Sequence, residues 1–328
     1  MPLDATATTF TLHSHRDALM PPRLLRHALV AATFTAALSA CASSGTPAAG
    51  TAGTSGAAAA GTAAAKPWFV REGFVAPEAV RYDPDQDVYF VGNWGTGSAS
   101  ATDDNGYISR MKPDGQIESM RFIAGGANGV VLHAPRGMYI VGDTLWVADA
   151  DAVRGFHRKT GAKLANVDFS GLDRGFLNDV AADATGTVYV TDTGRNKLYK
   201  VTGGPTVVVA DSALGAPNGI TWDAANNRFI IVPFGGHKGI RAWAPGATTL
   251  TDIGMSTGAR YDGVEVLSGG RILVASQADT SLHIFSGNSG RAIFRTLGPP
   301  ADLAVDTKRN RVAVPVVARN HVEIWELP

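Results

Sequence analysis

The chain has 328 residues with 29 basic and 29 acidic side chains, so its formal net charge at pH 7 is zero. This balance gives no argument for binding to nucleic acid or for electrostatic attraction to a membrane surface. The chain has one cysteine, Cys41, which excludes an intramolecular disulfide and makes thiol chemistry in the rest of the chain impossible.

The first predicted element is an export signal over residues 1–41. Basic Arg23 and Arg26 precede an apolar stretch, residues 28–40, which is shorter than the roughly 20 residues that a membrane-spanning helix needs. This stretch fits a translation start at Met20 better than one at residue 1.

The signal ends in Leu38-Ser39-Ala40-Cys41, which resembles a bacterial lipobox with Cys41 as the lipidated residue. An ordinary signal peptide is the alternative. We therefore expect an exported cell-envelope lipoprotein on the periplasmic side of the outer membrane, whose only membrane contact is its lipid anchor. Residues 42–65 contain almost only Ala, Gly, Thr, Ser and Pro, which predicts a disordered tether.

Residues 66–328 form the predicted folded domain, and six of its segments share one pattern. In each, a polar residue precedes a short apolar run. The first interval between these polar residues is 58 residues, and the later ones are 40–44. A period of this size is typical of β-propeller blades. The six polar residues are Glu78, Arg136, Asn178, Asn218, Asp262 and Asp302.

Each repeat contains short runs of β-branched and aromatic residues separated by Gly, Asn and Asp turns. The third repeat shows four such runs, at residues 178–183, 187–191, 197–202 and 206–210. We therefore predict an all-β domain, a six-bladed β-propeller with four strands in each blade. The last repeat is one strand short, and residues 66–71 are predicted to supply that strand and close the ring.

The long first interval contains an insertion, residues 93–106, rich in Gly, Ser, Thr and Asp. Insertions between strands normally form surface loops. Its one aromatic residue, Trp94, would either pack on the rim or line a ligand pocket.

The polar residue of each repeat would stand at the mouth of the central channel. Carboxylates gathered there would repel one another unless a cation compensates them. Carboxylate and amide oxygens suit Ca²⁺, which we predict as the cofactor, with Zn²⁺ and Mn²⁺ as alternatives. A solvated or ion-paired mouth, with Arg136 neutralising a carboxylate, is the other interpretation.

Several of these segments resemble the SMP-30/gluconolactonase/LRE-like superfamily of six-bladed propellers, many of which are lactonases. The segments are Ala76-Pro77-Glu78-Ala79-Val80, Leu177-Asn178-Asp179-Val180, Ala216-Pro217-Asn218-Gly219-Ile220 and Tyr261-Asp262-Gly263-Val264. The resemblance implies that Glu78, Asn218 and Asp262 bind a divalent metal and that Asn178 contacts substrate.

The chain departs from that family at two positions. Phe176 stands where gluconolactonases of this type carry Arg, and Ala79-Val80 follows Glu78 in place of Gly-Pro. Residues 180–194 also resemble an NHL repeat, and many NHL propellers bind partners without catalysis.

The leading hypothesis is an exported metal-dependent hydrolase of a small lactone or related ester. The metal would polarise the carbonyl, and Asp262 would act as general base or as a ligand that tunes the attacking water. Arg136 would bind the carboxylate of the product. The alternatives are a non-catalytic, envelope-anchored NHL-like binding or sensor propeller, and a ring in which any cation is structural.

Overall fold

A computed structural model describes residues 65–235 and 239–328. The predicted export signal and the Cys41 lipidation site lie outside these residues, as does the tether apart from Ala65. The described residues form 24 β-strands and three short 3₁₀ helices, Ser212–Leu214, Ser268–Gly270 and Val317–Arg319. No helix in this part of the chain is long and apolar enough to cross a membrane.

Neighbouring strands pair antiparallel in all sheets, with one exception in the largest sheet. The first sheet contains β1 (Phe69–Glu72), β24 (His321–Glu326), β23 (Arg311–Val316) and β22 (Ala304–Asp306), in that spatial order. The second contains β2 (Pro77–Asp83), β3 (Val88–Asn93), β4 (Tyr107–Met111) and β5 (Ile117–Ala124). The third contains β6 (Met138–Val141), β7 (Thr144–Ala148), β8 (Ala152–His157) and β9 (Lys163–Asp168). The fourth contains β10 (Leu177–Ala182), β11 (Val188–Asp192), β12 (Lys197–Lys200) and β13 (Thr206–Ala210).

The remaining eight strands form one sheet. Its first half is β14 (Pro217–Asp223), β15 (Arg228–Pro233), β16 (Gly239–Trp243) and β17 (Thr251–Met255). Its second half, in spatial order from β17, is β21 (Ser289–Arg295), β20 (Ser281–Ser286), β19 (Ile272–Ser276) and β18 (Tyr261–Val266).

The fold is an all-β propeller, but the prediction of six blades of four strands is wrong. The structure contains four sheets of four strands and one sheet of eight. The cause is a parallel bridge between Met255 of β17 and Ser289 of β21. The Met255 amide also donates a hydrogen bond to the Asn288 carbonyl at 3.1 Å. A contact between two outer strands leaves no periodic trace in the sequence, which explains the error.

The N-terminal strand β1 pairs antiparallel with the C-terminal strand β24, with Phe69 opposite Ile324. Apolar side chains of neighbouring sheets then pack face to face. Val80 of β2, for example, shares a buried cluster with Ala313 of β23 and Val322 of β24. The chain termini of the described domain are thus held by both hydrogen bonds and core packing.

Four strands share an irregularity at the residue that the sequence singled out. In β2, β10, β14 and β18 the register shifts around Glu78, Asn178, Asn218 and Asp262, respectively. A β-bulge redirects a side chain out of the regular alternation. Strands β10, β14 and β18 are neighbours, and Asp302 joins β2 through backbone hydrogen bonds to Glu78 and Val80, each at 3.0 Å. The bulges therefore converge on one region.

Candidate active site

A cavity of about 540 Å³ lies at the bulges. Its floor includes the four bulge residues Glu78, Asn178, Asn218 and Asp262. Each of these side chains is buried, with at most 5 % of the residue exposed. The structure thus brings together four of the five site residues that the sequence predicted in this domain.

Three of these residues each have one oxygen without a partner. Among the described residues, no hydrogen bond reaches Glu78 Oε2, Asn218 Oδ1 or Asp262 Oδ1, although all three atoms are buried. Leaving a buried acceptor unsatisfied costs about 1–3 kcal/mol, and more for a charged group. These three atoms are therefore candidate donors to a bound ion or water.

Hydrogen bonds with neighbouring side chains fix the orientation of two floor residues, Asp262 and Asn178. Gln277 Nε2 donates to Asp262 Oδ2 at 2.6 Å, which orients that carboxyl. Asn178 Nδ2 donates to the Thr193 hydroxyl at 2.9 Å, and this hydroxyl donates to the Pro217 carbonyl at 2.7 Å. These hydrogen bonds hold the amide of Asn178 in place, and its remaining hydrogen-bonding positions are available to a bound molecule.

Arg136, the fifth predicted residue, is not part of the cavity lining. Its guanidinium lies 3.7 Å from the ring centroid of Phe176 and donates to the carbonyls of Leu177 and Ala99. Burial lowers its pKa to about 10, although Glu78 opposes this shift. Arg136 therefore supports the cavity from behind Phe176, and its role in substrate binding stays a prediction.

Burial disfavours the negative charges of this region. It raises the pKa of Asp262 to about 7, and burial together with Asp262 raises the pKa of Glu78 well above its ordinary value. Two further carboxyls, Asp179 and Asp302, are equally buried, and burial raises their pKa values too. A cation among these groups would stabilise their ionised forms.

Asp179 is the acidic residue that sequence reasoning missed. Its carboxylate accepts hydrogen bonds from the amides of Val180 and Ile220, at 2.7 and 2.8 Å, and so links β10 to β14. Three other repeats have Gly at the equivalent position. A Cβ on one of them, Gly137, would lie 1.9 Å from Asp179 Oδ1. Asp179 is the charged exception at this repeat position, and that signal could have identified it.

A second group with metal-ligand chemistry contains His133, Asp149 and Asp151. Here the oxygens already have partners. Arg154 contacts Asp149 at 2.6 Å and Asp151 at 2.5 Å, and Asp149 also accepts three backbone amides. Because one guanidinium already pairs with both carboxylates, we interpret this cluster as a structural ion-pair network.

No family model matches the sequence, and no curated protein matches it. The fold nevertheless resembles solved structures. A catalytically inactive variant of virginiamycin B lyase from Staphylococcus aureus, with quinupristin, aligns with a TM-score of 0.54 and 12% identity, over 79% of this chain and 99% of that chain. A protein provisionally described as a gluconolactonase aligns with a TM-score of 0.56 and 15% identity, over 78% of this chain and 91% of that one.

A chain of the nidogen–laminin complex also aligns, with a TM-score of 0.52 and 12% identity, over 67% of this chain and 90% of that chain. At such identities the likeness shows the β-propeller fold alone. This fold carries unrelated functions, so the function has to be argued from the site.

Proposed function

We propose that the protein is a metal-dependent hydrolase of a lactone or related ester, similar to the SMP-30/gluconolactonase/LRE-like propellers. The observation that carries the proposal is the set of three buried, unpartnered oxygens on the cavity floor. A protein provisionally described as a gluconolactonase has the same fold, which is compatible with this class.

The residues fit a divalent cation. Two carboxylates and one carboxamide are hard oxygen donors, which Ca²⁺ prefers. They come from three different strands, each of which has a bulge at that residue. Glu78, Asn218 and Asp262 would hold the ion, which would supply Lewis-acid polarisation of the substrate carbonyl. Zn²⁺ and Mn²⁺ are the alternatives.

The chain's own groups account for the proton movements. Because Gln277 occupies Asp262 Oδ2, the face of the carboxylate open to a ligand is Oδ1. A carboxylate oxygen has two lone pairs, so Asp262 could help to hold a cation and would still have a lone pair to accept the proton of an attacking water. The water oxygen bonds to the carbonyl carbon, the C–O bond of the ring breaks, and the proton passes to the departing alkoxide. The product is a hydroxy acid.

Asn178 would orient the substrate. Its Nδ2 is anchored on Thr193, so the amide is presented in one orientation at low entropic cost. Removal of the Asn178 amide should raise KM by a larger factor than that by which it lowers kcat.

The test is turnover by the purified protein after chelator treatment, on a panel of lactones and esters with and without Ca²⁺, Mn²⁺ or Zn²⁺. We expect hydrolysis only with metal, and a loss of at least about 100-fold in kcat/KM for Glu78→Gln and for Asp262→Asn. Glu72→Gln, which changes an exposed carboxylate of β1, is the matched control and should leave turnover unchanged. Full activity without metal would refute the metal-dependent mechanism.

The same experiment separates the alternatives. Thermal stabilisation by metal without turnover on any substrate would indicate a structural cation in a binding or sensor propeller.

A further inference from the structure

The wall of the cavity differs in chemistry from its floor. Apart from the four floor residues, Thr193 and Gln277, the lining residues are apolar. Six of them form what is called the wall here: Trp94, Phe176, Phe234, Pro299, Val317 and Ala318. Trp94 follows β3 and begins the inserted loop, and Phe176 and Phe234 flank β10 and β15 at the same end as the bulges.

The polar groups near this wall are already engaged. The Thr193 hydroxyl accepts from Asn178 and donates to Pro217, and Gln277 donates to Asp262. Trp94 Nε1 is buried without a partner among the described residues, so it adds one donor. A ligand with a hydroxyl on every carbon would leave most of those hydroxyls without partners, which is costly.

Two of the three aromatic residues of the wall contact cations. Arg136 lies 3.7 Å from the Phe176 ring centroid and Arg260 lies 4.6 Å from that of Phe234. Because Phe176 covers Arg136, that guanidinium is not available to sugar hydroxyls. The inserted loop is fastened to the same Arg136 through the Ala99 carbonyl, which connects the loop of Trp94 to the ring of Phe176.

We propose that the substrate is a hydrophobic lactone or ester, with an alkyl chain or aromatic ring beside its carbonyl group, and that Trp94, Phe176 and Phe234 bind this apolar part. The inference rests on the proposed hydrolase function and specifies its substrate. A cavity of about 540 Å³ is within the usual range for small-molecule sites, and such sites combine apolar walls with a few polar groups.

The first test is a chain-length series of γ-lactones, from γ-butyrolactone to γ-decalactone, compared with glucono-δ-lactone. Burying one methylene is worth about fourfold in kcat/KM. We expect kcat/KM to rise by about this factor per methylene until the alkyl chain covers the wall. The kcat/KM for glucono-δ-lactone should be at least about 100-fold lower than that for γ-decalactone. A flat series, or a preference for glucono-δ-lactone, would overturn the apolar specificity and leave the hydrolase function standing.

The second test changes the wall. Trp94→Ala should abolish most of the chain-length dependence, and Phe234→Ala should do the same through a residue outside the inserted loop. Trp68→Ala is the matched control, because Trp68 is 48 % exposed and lies on Arg311, away from this cavity. Melting temperatures of the variants report whether each folds. Unchanged chain-length dependence in both folded wall variants would contradict the proposal.

A third measurement is independent of turnover. Calorimetry in Ca²⁺ would compare 5-hexyl-2-pyrrolidinone, a lactam that resists hydrolysis, with unsubstituted 2-pyrrolidinone. We expect the hexyl compound to bind at least about 100-fold more tightly, and this difference to shrink in Trp94→Ala. If this pattern appears while no lactone or ester is turned over, the apolar ligand class stands and the hydrolase function fails. Equal binding of both lactams would refute the apolar pocket.

Discussion

At the scale of single residues, two kinds of buried carboxylate serve different purposes. The protein itself satisfies the hydrogen-bonding capacity of the Asp83 carboxylate. Arg158 donates to both of its oxygens at 2.8 and 2.9 Å, and Gln86 donates a third hydrogen bond at 2.6 Å. Glu78 and Asp262 each keep a buried oxygen without a partner. A fold rarely leaves such atoms unpaired without a functional reason.

Asp83 allows a prediction about stability. Asp83→Asn leaves the buried Arg158 without its main counterion and should lower the free energy of unfolding by about 3 kcal/mol. The matched control is Asp85→Asn, since Asp85 contacts the same guanidinium at 2.8 Å but has a 71 % exposed side chain; its effect should stay below about 1 kcal/mol. Urea denaturation at pH 7 measures the free energy of unfolding of both variants. Equal losses would contradict the role of Asp83 as the main counterion of Arg158.

The same pair predicts the sign of a pH dependence. Burial alone would raise the pKa of Asp83, but hydrogen bonds from Gln86 and Arg158 hold it below 3.8. A carboxylate with a lowered folded-state pKa contributes stability that is complete above its unfolded pKa. This contribution should disappear as the pH falls below about 4, so wild type and Asp83→Asn should converge in stability in acid.

At the scale of elements, the site depends on bulges and on one added strand. The bulges turn Glu78, Asn178, Asn218 and Asp262 out of the alternation of their strands. Strand β1 covers the edge of β24 and places Phe69 against the cluster shared by the first and second sheets. An edge covered in this way is protected from pairing with another chain.

Phe69→Ala is therefore expected to destabilise the whole domain, by about 2–3 kcal/mol, since it removes a large apolar group packed on that cluster. Val207→Ala on β13 is a suitable comparison, because Val207 is 44 % exposed and should lose less than about 1 kcal/mol. Thermal unfolding would measure the difference. A melting temperature of Phe69→Ala equal to that of Val207→Ala would show that β1 is not part of the cooperative unit.

At the scale of the whole molecule, part of the architecture was predictable because it repeats. The 40–44-residue period predicted the propeller, and the polar residues of four of the six repeats, Glu78, Asn178, Asn218 and Asp262, line the cavity. Contacts between repeats leave no such trace, so the merged sheet at Met255 and Ser289 was not predicted. The position of Arg136 behind Phe176 also depends on tertiary packing. Asp179 was not predicted because the repeating polar position is that of its neighbour, Asn178.

The proposed function depends on Glu78, Asn218 and Asp262 holding a divalent cation, and titration calorimetry with Ca²⁺ on the chelator-treated protein tests this most directly. We predict saturable binding with one ion per protein in the wild type and in Glu72→Gln. Binding should weaken at least about 100-fold in Glu78→Gln, Asn218→Ala and Asp262→Asn, because each substitution removes or neutralises one donor. Equal Ca²⁺ affinity in all five proteins, or no Ca²⁺ binding by the wild type, would contradict the account.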